Sequence, residues 1–333
     1  MLAVTELESI TEKVFFEQIV PAQQPVVIRG LVEQWPLCAW HDNHPSFAQA
    51  LQVRDSGHRC YTIVAPPQAR GRFFYGDRLR GQNFAKTQSN LSDALSHIAA
   101  QAGSTEPHAI ALQAVAANAA INQFSDDHPT PLSLPAEPTM WLGTPGLVAA
   151  HFDLHDNLAC VVHGQRRFHL FPPEQATNLY LGPTLDAPGG VPISLVDVRA
   201  PDLVKFPKFA EAQAQGQLVT LHAGDALYIP SPWWHAVESL DEVNLLVNYW
   251  WTEGVEPDIG ANQSLMHSML SIAQLSPHKR RAWRALFDHL VFRLEHDPSS
   301  HLPDDLKDIV TTMTDEQRRS VFQYLASALS DSD

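Results

Sequence analysis

Cysteine, basic residues and long hydrophobic runs are all scarce in this sequence. Its three cysteines, Cys38, Cys60 and Cys160, are widely spaced and odd in number, which argues against a disulfide framework or a zinc ribbon and fits a reducing compartment. No apolar run approaches the roughly 20 residues that a membrane helix needs. The N-terminus is acidic early and lacks the basic-then-apolar pattern of a signal peptide. We therefore expect a cytoplasmic protein without a membrane segment.

The shortage of basic residues gives the chain a strong negative charge. With 22 Lys and Arg against 37 Asp and Glu, the formal net charge of the 333 residues is −15. Affinity for nucleic acid depends largely on neutralising phosphates, so this balance disfavours a nucleic-acid partner. Two basic clusters, at residues 69–81 and 278–284, run against the trend. Such clusters are usually solvated faces, but they leave a tRNA partner open.

Short apolar segments separated by Gly and Pro turns fill the middle of the chain. Residues 128–138 contain four prolines and predict a surface loop, and eight apolar segments follow between residues 139 and 252 without intervening helices. That spacing predicts an antiparallel sandwich or barrel. The first 125 residues mix short strands and helices. We therefore expect one mainly β domain over residues 1–254, with its barrel at about 139–252.

Residues 255–333 have the apolar period of helices and predict a C-terminal helical appendage. Ser276 followed by Pro277 is a helix start, and Thr314 with Gln317 forms a capping box. One helix presents an apolar face that a short appendage cannot bury alone, formed by Trp283, Leu286, Phe287, Leu290 and Leu294. We expect these helices to form a two-fold homodimer; the alternative is that they pack back on the barrel.

Four ionisable residues, His151, Asp153, His155 and Asp156, lie within six positions of one another. If the preceding apolar segment is a strand, His151 and Asp153 point to one face, roughly 6.6 Å apart, and one metal can bind both. His155 would lie about 13 Å from His151 along a straight strand, so we predict that it is not a ligand. Asp156 faces the other way and is interpreted as a turn or solvent residue.

A third ligand candidate is His235, which follows a Gly-Asp turn and a Pro-rich corner. Alone, it is best interpreted as a histidine packed against Trp233 and Trp234. Together with His151 and Asp153 it completes two imidazoles and one carboxylate, the set that binds Fe(II) and leaves positions open for a co-substrate and O₂. A structural zinc site would need a fourth protein ligand, and the sequence offers no good candidate.

Several longer motifs carry a family resemblance. "AAHFDLHDNLACVVHGQRRFHLFPP", "AGDALYIPSPWWHAVESL" and "LLVNYWW" resemble the JmjC-like, cupin-fold 2-oxoglutarate oxygenases, in particular the factor-inhibiting-HIF-like protein hydroxylases. "GRFFYGDRLRGQNF" and "ISLVDVRAPDLVKFPKFAEA" are similar to the bacterial cupin-like domain proteins of that superfamily. The resemblance runs from about residue 25 to Trp251. It implies a double-stranded β-helix (jelly-roll or cupin) core with N-terminal α/β elements, Fe(II), and 2-oxoglutarate as co-substrate.

The resemblance also implies roles for individual residues. Its pattern assigns three residues to iron: His151, Asp153 and His235. It places Asn157 and Asn248 beside the co-substrate, and Arg166 on the distal carboxylate of 2-oxoglutarate. Strand alternation agrees, because it puts Arg166 on one face and Arg167 on the other, and a bidentate guanidinium suits a carboxylate. The alternative is a surface arginine on an edge strand.

Two positions depart from the pattern of these relatives. Val148 stands where they have a threonine, and Ala111 aligns with a tyrosine on an earlier strand. Two hydroxyls that help to bind 2-oxoglutarate are therefore absent, and Tyr228 or Thr139 are candidates to replace them.

The resemblance implies an Fe(II)- and 2-oxoglutarate-dependent hydroxylase that acts on a protein or peptide side chain. Two alternatives remain open at this point. One is a hydroxylase of a tRNA base, for which the basic cluster at residues 69–81 would be the contact surface. The other is a non-catalytic cupin that binds a metal or small ligand, which the absence of the two hydroxyls favours.

Overall fold

Strands form the framework of this computed structural model, which describes residues 1–40, 43–184, 187–188, 190–252, 259–295, 297–307 and 313–330. Within those residues the strands are β1 (Leu2–Ala3), β2 (Thr5–Leu7), β3 (Val26–Ile28), β4 (Cys60–Ala65), β5 (Arg72–Phe73), β6 (Ala85–Ser89), β7 (Ala109–Ala116), β8 (Pro138–Gly143), β9 (Gly146–Phe152), β10 (Asp156–His163), β11 (Arg166–Phe171), β12 (Gln217–Leu221), β13 (Ala226–Ile229), β14 (Trp234–Ser239) and β15 (Asn244–Trp251).

Among the described residues, seven helices lie between these strands and three follow the last strand. They are α1 (Glu12–Val14), α2 (Val20–Ala22), α3 (His44–Val53), α4 (Leu91–Ala99), α5 (Ala117–Ala120), α6 (Phe124–Asp127), α7 (Phe209–Gln215), α8 (Ala261–Ser271), α9 (Pro277–Phe287) and α10 (Asp315–Ser330). A π-helical turn joins α1 to α2, and another follows α9 at Asp288–Phe292. Short 3-10 turns lie at Pro36–Trp40, Pro67–Ala69, Asp77–Leu79, Pro131–Ser133, Pro173–Asn178, Ile272–Gln274 and Asp304–Leu306.

The strands form two sheets that together make a double-stranded β-helix. One sheet has the order β1-β12-β11-β14-β9-β5, and the other the order β2-β3-β13-β10-β15-β8-β7-β4-β6. The eight segments predicted between residues 139 and 252 are β8 to β15. They divide equally, since β9, β11, β12 and β14 join the first sheet and the others join the second. The predicted jelly-roll fold class is therefore confirmed.

Alternation of side chains along these strands builds two apolar layers. Phe168 and Leu170 of β11 meet Ala159 and Val161 of β10 in the space between the sheets. The alternate residues of β10, such as Leu158, pack on the other side against helices and turns from the N-terminal part of the chain. Every residue of β10 is consequently buried. Burial on both faces explains why this segment of the sequence is almost continuously apolar.

The chain divides into two compact units, residues 1–256 and 257–333. The second unit contains α8, α9 and α10. As predicted, Ser276 and Pro277 start α9, and the capping box of α10 forms, with the Gln317 amide 3.2 Å from the Thr314 hydroxyl. The apolar face of α9 is exposed, since Trp283 and Leu286 keep over two fifths of their surface accessible. Among the described residues, the structure contains no helix with the length and apolar character needed to cross a membrane.

Candidate metal centre and co-substrate pocket

Three predicted ligands converge at one end of the barrel. His151 is the second-to-last residue of β9, and Asp153 directly follows that strand. His235 lies on β14, directly opposite His151 in the strand register. The Nε2 atoms of His235 and His151 are 3.5 and 3.9 Å from the two carboxylate oxygens of Asp153. One potential ligand atom from each residue lies within 4.8 Å of the others. A single metal ion therefore fits between them.

The backbone fixes both histidines in the tautomer that a metal requires. Nδ1 of His151 is 2.9 Å from the carbonyl oxygen of Ala149, and Nδ1 of His235 is 3.1 Å from that of Trp233. A carbonyl oxygen only accepts hydrogen bonds, so each ring donates through Nδ1–H. The lone pair then lies on Nε2, which faces Asp153 in both cases.

Burial and the neighbouring His151 ring disfavour the charged form of His235. Desolvation, and next the neighbouring His151, lower the pKa of His235. For Asp153, burial alone would raise the pKa, but the two histidines and two hydrogen bonds together lower it. The cluster therefore holds the charged Asp153 carboxylate beside the neutral His235 ring, and a divalent cation would neutralise that charge.

Two N–H groups fix the orientation of the Asp153 carboxylate. The Asn157 side-chain amide donates to Oδ2 at 2.9 Å, and the indole N–H of Trp250 donates to the same oxygen at 3.0 Å. The side-chain amide of Asn248 donates to Asn157, and the indole N–H of Trp141 donates to Asn248 at 2.8 Å. Asn157 and Asn248 thus belong to a chain of hydrogen bonds that begins at the metal-binding carboxylate.

The sequence did not point to Trp141 or Trp250. It drew attention instead to Trp233 and Trp234, which both pack in the apolar core. A signal for Trp250 was present, because alternation along β15 places it on the same face as Asn248. Trp141 had no such signal, since its contact with Asn248 depends on the pairing of β8 with β15.

The two neighbouring candidates behave differently. His155 lines the same cavity as His151 and Asp153 but does not belong to the cluster of ligand atoms found among the described residues, as predicted. The interpretation of Asp156 as a turn or solvent residue is wrong. It begins β10, is 7% exposed, and accepts hydrogen bonds from the Ser231 amide and the Tyr228 hydroxyl. The chain bends after Asp153, so the straight strand assumed from the sequence is interrupted, and Asp156 begins a new strand with its carboxylate buried against Tyr228.

Arg166 is a buried cation without an anionic partner. It lies on β11, which is flanked by β12 and β14, so the alternative of an exposed edge-strand arginine is wrong. Its guanidinium donates to the carbonyl oxygen of Trp141 at 2.8 Å, while its Nε–H has no partner. No carboxylate of a described residue pairs with it. Burial lowers the pKa of Arg166 to about 9, so it remains charged at neutral pH.

Val148 and Ala111, the two residues that depart from the family pattern, have no hydroxyl to offer a co-substrate. Val148 lines the cavity that His151 and Asp153 also line, and Ala111 lies on β7 opposite Ile63 of β4. Tyr228 does not replace a missing hydroxyl. Its ring packs in the apolar layer outside the barrel interior, and its hydroxyl is bonded to Asp156. Thr139 lies on the same face of β8 as Trp141, so it is the remaining candidate.

A cavity of about 700 Å³ opens above the cluster. Its volume is in the usual range for a small-molecule site. Aromatic side chains supply much of its lining: Tyr61, Phe73, Phe84, Trp141, Phe152 and Trp250. Besides His151, Asp153 and His155, the ionisable side chains found in its wall among the described residues are Lys86 and the phenol of Tyr61. The site is therefore an apolar, aromatic chamber with a metal-binding floor.

Fold and cluster together define a class: a cupin-type barrel with a two-histidine, one-carboxylate set of potential metal ligands. Residues 12–256 match the Cupin-like domain family, and the chain belongs to that family. The JmjC-like resemblance seen in the motifs is also confirmed, since several curated relatives carry JmjC names.

These relatives cover different parts of the chain. HSPB1-associated protein 1 of Bos taurus is 28% identical over 282 residues, which are 80% of this chain and 56% of the relative. The bifunctional peptidase and (3S)-lysyl hydroxylase JMJD7 of Homo sapiens is 26% identical over 269 residues, 71% of this chain and 80% of the relative. Lysine-specific demethylase JMJ31 of Arabidopsis thaliana is 39% identical over 103 residues, 31% of this chain and 18% of the relative. The chain thus spans about half the length, or less, of the first and third.

Proposed function

We propose that this protein is an Fe(II)- and 2-oxoglutarate-dependent hydroxylase that acts on a side chain of a protein or peptide. The observation that carries the proposal is the presence, in one barrel, of a three-ligand cluster and a buried guanidinium without an anionic partner. The cluster fits a divalent metal, and the guanidinium fits a carboxylate. A dicarboxylate co-substrate would satisfy both.

The donor set supports iron over a structural metal. Among the described residues the cluster contains three potential ligands, His151, Asp153 and His235, so a bound metal would keep positions open for other molecules. Bound Fe(II) would supply O₂ activation coupled to decarboxylation of 2-oxoglutarate. The chain would supply ligand geometry, held by the Nδ1–H donors of the histidines and by the Asn157 and Trp250 bonds to the carboxylate.

The position of Arg166 supports 2-oxoglutarate as the co-substrate. Leu170, four residues further along β11, pairs with the metal-ligand candidate His235. The Cα atoms of Arg166 and Leu170 are about 13 Å apart along the strand. The guanidinium side chain extends from there to the backbone of Trp141, a residue that lines the metal cavity. A carboxylate bonded to Arg166 would offset the cost of burying its charge.

A polypeptide substrate is supported by the relatives and by the cavity. JMJD7 is named a lysyl hydroxylase and JMJ31 a lysine-specific demethylase, and both names refer to an amino-acid side chain. The aromatic chamber above the cluster is large enough to receive a long side chain. Expulsion of water by the aromatic walls would limit side reactions at the metal.

Succinate formation tests the proposal directly. The full-length protein is incubated anaerobically with Fe(II), ascorbate and 2-oxoglutarate, O₂ is admitted, and succinate is measured with and without candidate peptides. We expect succinate from the wild type and from His155→Ala, but not from His235→Ala. If the wild type releases no more succinate than His235→Ala under any condition, the proposal is wrong.

A non-catalytic metal-binding cupin is the second candidate. The apolar side chains at Val148 and Ala111 favour it, because they remove two hydroxyls from the expected co-substrate site. Iron binding without any succinate formation would support this candidate.

A further inference from the structure

One segment crosses between the two sheets at the side where the metal cavity opens. Within residues 70–89, β5 pairs with β9 of the first sheet, and β6 pairs with β4 of the second. Between them the chain forms a hairpin closed by Phe74 and Asn83, whose amides each bond to the other residue at 2.8 and 3.0 Å. We call residues 70–89 the mouth segment.

The mouth segment is basic in an acidic protein. It contains five Lys and Arg and one Asp, a net charge of +4, whereas the whole chain has −15. Arg72 is used internally, because its guanidinium donates to three carbonyl oxygens of residues 194–196 and lies 3.6 Å from the centre of the Phe74 ring. Three others, Arg78, Arg80 and Lys86, are exposed and form no ion pair with a described residue. We call these three the mouth cations.

One mouth cation lines the cavity that His151 and Asp153 line, and the other two lie in the part of the mouth segment that packs beside it. Lys86 is part of its wall, next to Ile63 and Tyr61 of the neighbouring strand. Arg78 and Arg80 flank Leu79, which packs against a cluster that includes two other wall residues, Ala149 and Ile193. The cavity therefore has one cation in its wall and two more on the adjoining part of the mouth segment, and together they give this rim a positive charge.

The same rim offers a free strand edge. β6 is the last strand of its sheet among the described residues, and Ala85, Lys86, Thr87 and Gln88 are exposed. An extended polypeptide can pair with such an edge through backbone hydrogen bonds. Tyr61, which is 60% exposed at the cavity mouth, adds an aromatic contact surface. These features favour a polypeptide over nucleic acid, which cannot pair with a strand edge and is opposed by the overall charge.

We propose that the cavity mouth binds an extended, acidic segment of the substrate protein, with carboxylates facing Arg78, Arg80 and Lys86. The inference rests on the proposed function only in taking the substrate to be a polypeptide. Rim charges chiefly set the association rate and the choice of partner. The mouth cations would thus select proteins in which acidic residues flank the modified side chain.

Fluorescence anisotropy on the full-length protein tests this inference without turnover. The probes are labelled peptides of equal length that alternate Thr with Glu, Gln or Lys, and a labelled single-stranded RNA of similar length. One variant reverses the mouth cations to Glu, and a milder variant replaces them by Gln. The matched control reverses three exposed cations of α9 and so changes the net charge equally: Lys279→Glu, Arg280→Glu and Arg281→Glu.

We expect the wild type to bind the Glu peptide more tightly than the Gln or Lys peptide, with affinity that falls as salt rises. Reversal of the mouth cations should weaken that binding at least about ten-fold, neutralisation should weaken it less, and the α9 control should stay near wild type. The inference is wrong if the α9 control loses as much affinity as the mouth variant, if the wild type does not prefer the Glu peptide, or if RNA binds more tightly. Succinate formation by a wild type that shows no acidic preference would overturn this inference and leave the proposed function standing. Acidic-peptide binding without succinate formation would support this inference and overturn the proposed function.

Discussion

Replacing Arg166 tests the link between the barrel and its co-substrate. Arg166→Met keeps most of the apolar stem but removes the buried charge. Hydrogen bonds to charged groups contribute about 1.5–3 kcal/mol, and each 1.4 kcal/mol is a factor of ten. We therefore expect 2-oxoglutarate to bind about ten- to a hundred-fold more weakly, as measured by calorimetry on the metal-loaded protein. Metal affinity should hardly change, because Arg166 is not in the ligand cluster.

Strand alternation supplies a matched control for this substitution. Arg167 is the next residue of β11, its side chain is 41% exposed on the opposite face, and its nearest anionic partner is Glu238 at 3.6 Å. Arg167→Met should leave 2-oxoglutarate binding unchanged. Equal losses from the two substitutions would contradict the orientation of β11, and no loss from Arg166→Met would remove 2-oxoglutarate from the proposal.

The same substitution makes an opposite prediction for the protein without co-substrate. Burial lowers the pKa of Arg166 to about 9, and at pH 7 the group is protonated in both the folded and the unfolded chain. The folded state therefore bears the full cost of the buried charge at that pH, a cost that would fall only as pH rises above the folded pKa. We expect Arg166→Met without co-substrate to unfold at a Tm no lower than wild type. Added 2-oxoglutarate should raise the Tm of the wild type alone, measured by calorimetric scanning.

Three further predictions concern the metal, its supporting hydrogen bonds and the second unit. His151→Ala should remove most bound iron, measured by metal analysis, while His155→Ala should keep it; the reverse result would refute the ligand assignment. Trp250→Phe removes an N–H donor to the Asp153 carboxylate and should lower iron affinity about 10- to 100-fold. The control is Trp233→Phe, because the Trp233 indole bonds to a distant carbonyl oxygen, and it should leave iron affinity unchanged. Equal losses of iron affinity from the two substitutions would mean that packing, and not the hydrogen bond, causes the loss. The exposed apolar residues of α9 should make the protein a dimer in light scattering; a 37.0 kDa species at micromolar concentration would refute this.

The barrel strands and the ligand cluster were predictable because local signals determine them. Each of β8 to β15 is a short apolar run between turn residues, and its length and spacing persist in the structure. His151 and Asp153 are two residues apart, so a strand places them on one face whatever its partners are. The assignment of His235 could not be made from a local pattern, because its proximity to His151 depends on the pairing of β14 with β9. Only the combination of residue types suggested it.

The hydrogen-bond chain and the role of Asp156 were not predictable, because they depend on register and on a bend. Trp141 reaches Asn248 through the pairing of β8 with β15, and no local pattern specifies that register. The straight-strand assumption failed after Asp153, where the chain turns into β10 and buries Asp156 against the Tyr228 hydroxyl. The sequence does not distinguish an aspartate that is buried and accepts two hydrogen bonds from an aspartate in an exposed turn.

The distribution of charge inside the barrel explains why a single ligand would satisfy the whole site. At one end, Asp153 holds a negative charge between the His151 and His235 rings, and at the other Arg166 holds a positive charge that no described carboxylate pairs. Trp141 links the two ends, because its carbonyl oxygen accepts from Arg166 while its indole N–H starts the hydrogen-bond chain to Asp153. If Asp153 and Arg166 paired directly, neither charge would be available to bind a metal or a carboxylate. Since the strand register holds them apart, a divalent cation at one end and a carboxylate at the other would neutralise both, and a metal-bound dicarboxylate is a ligand that brings the two together.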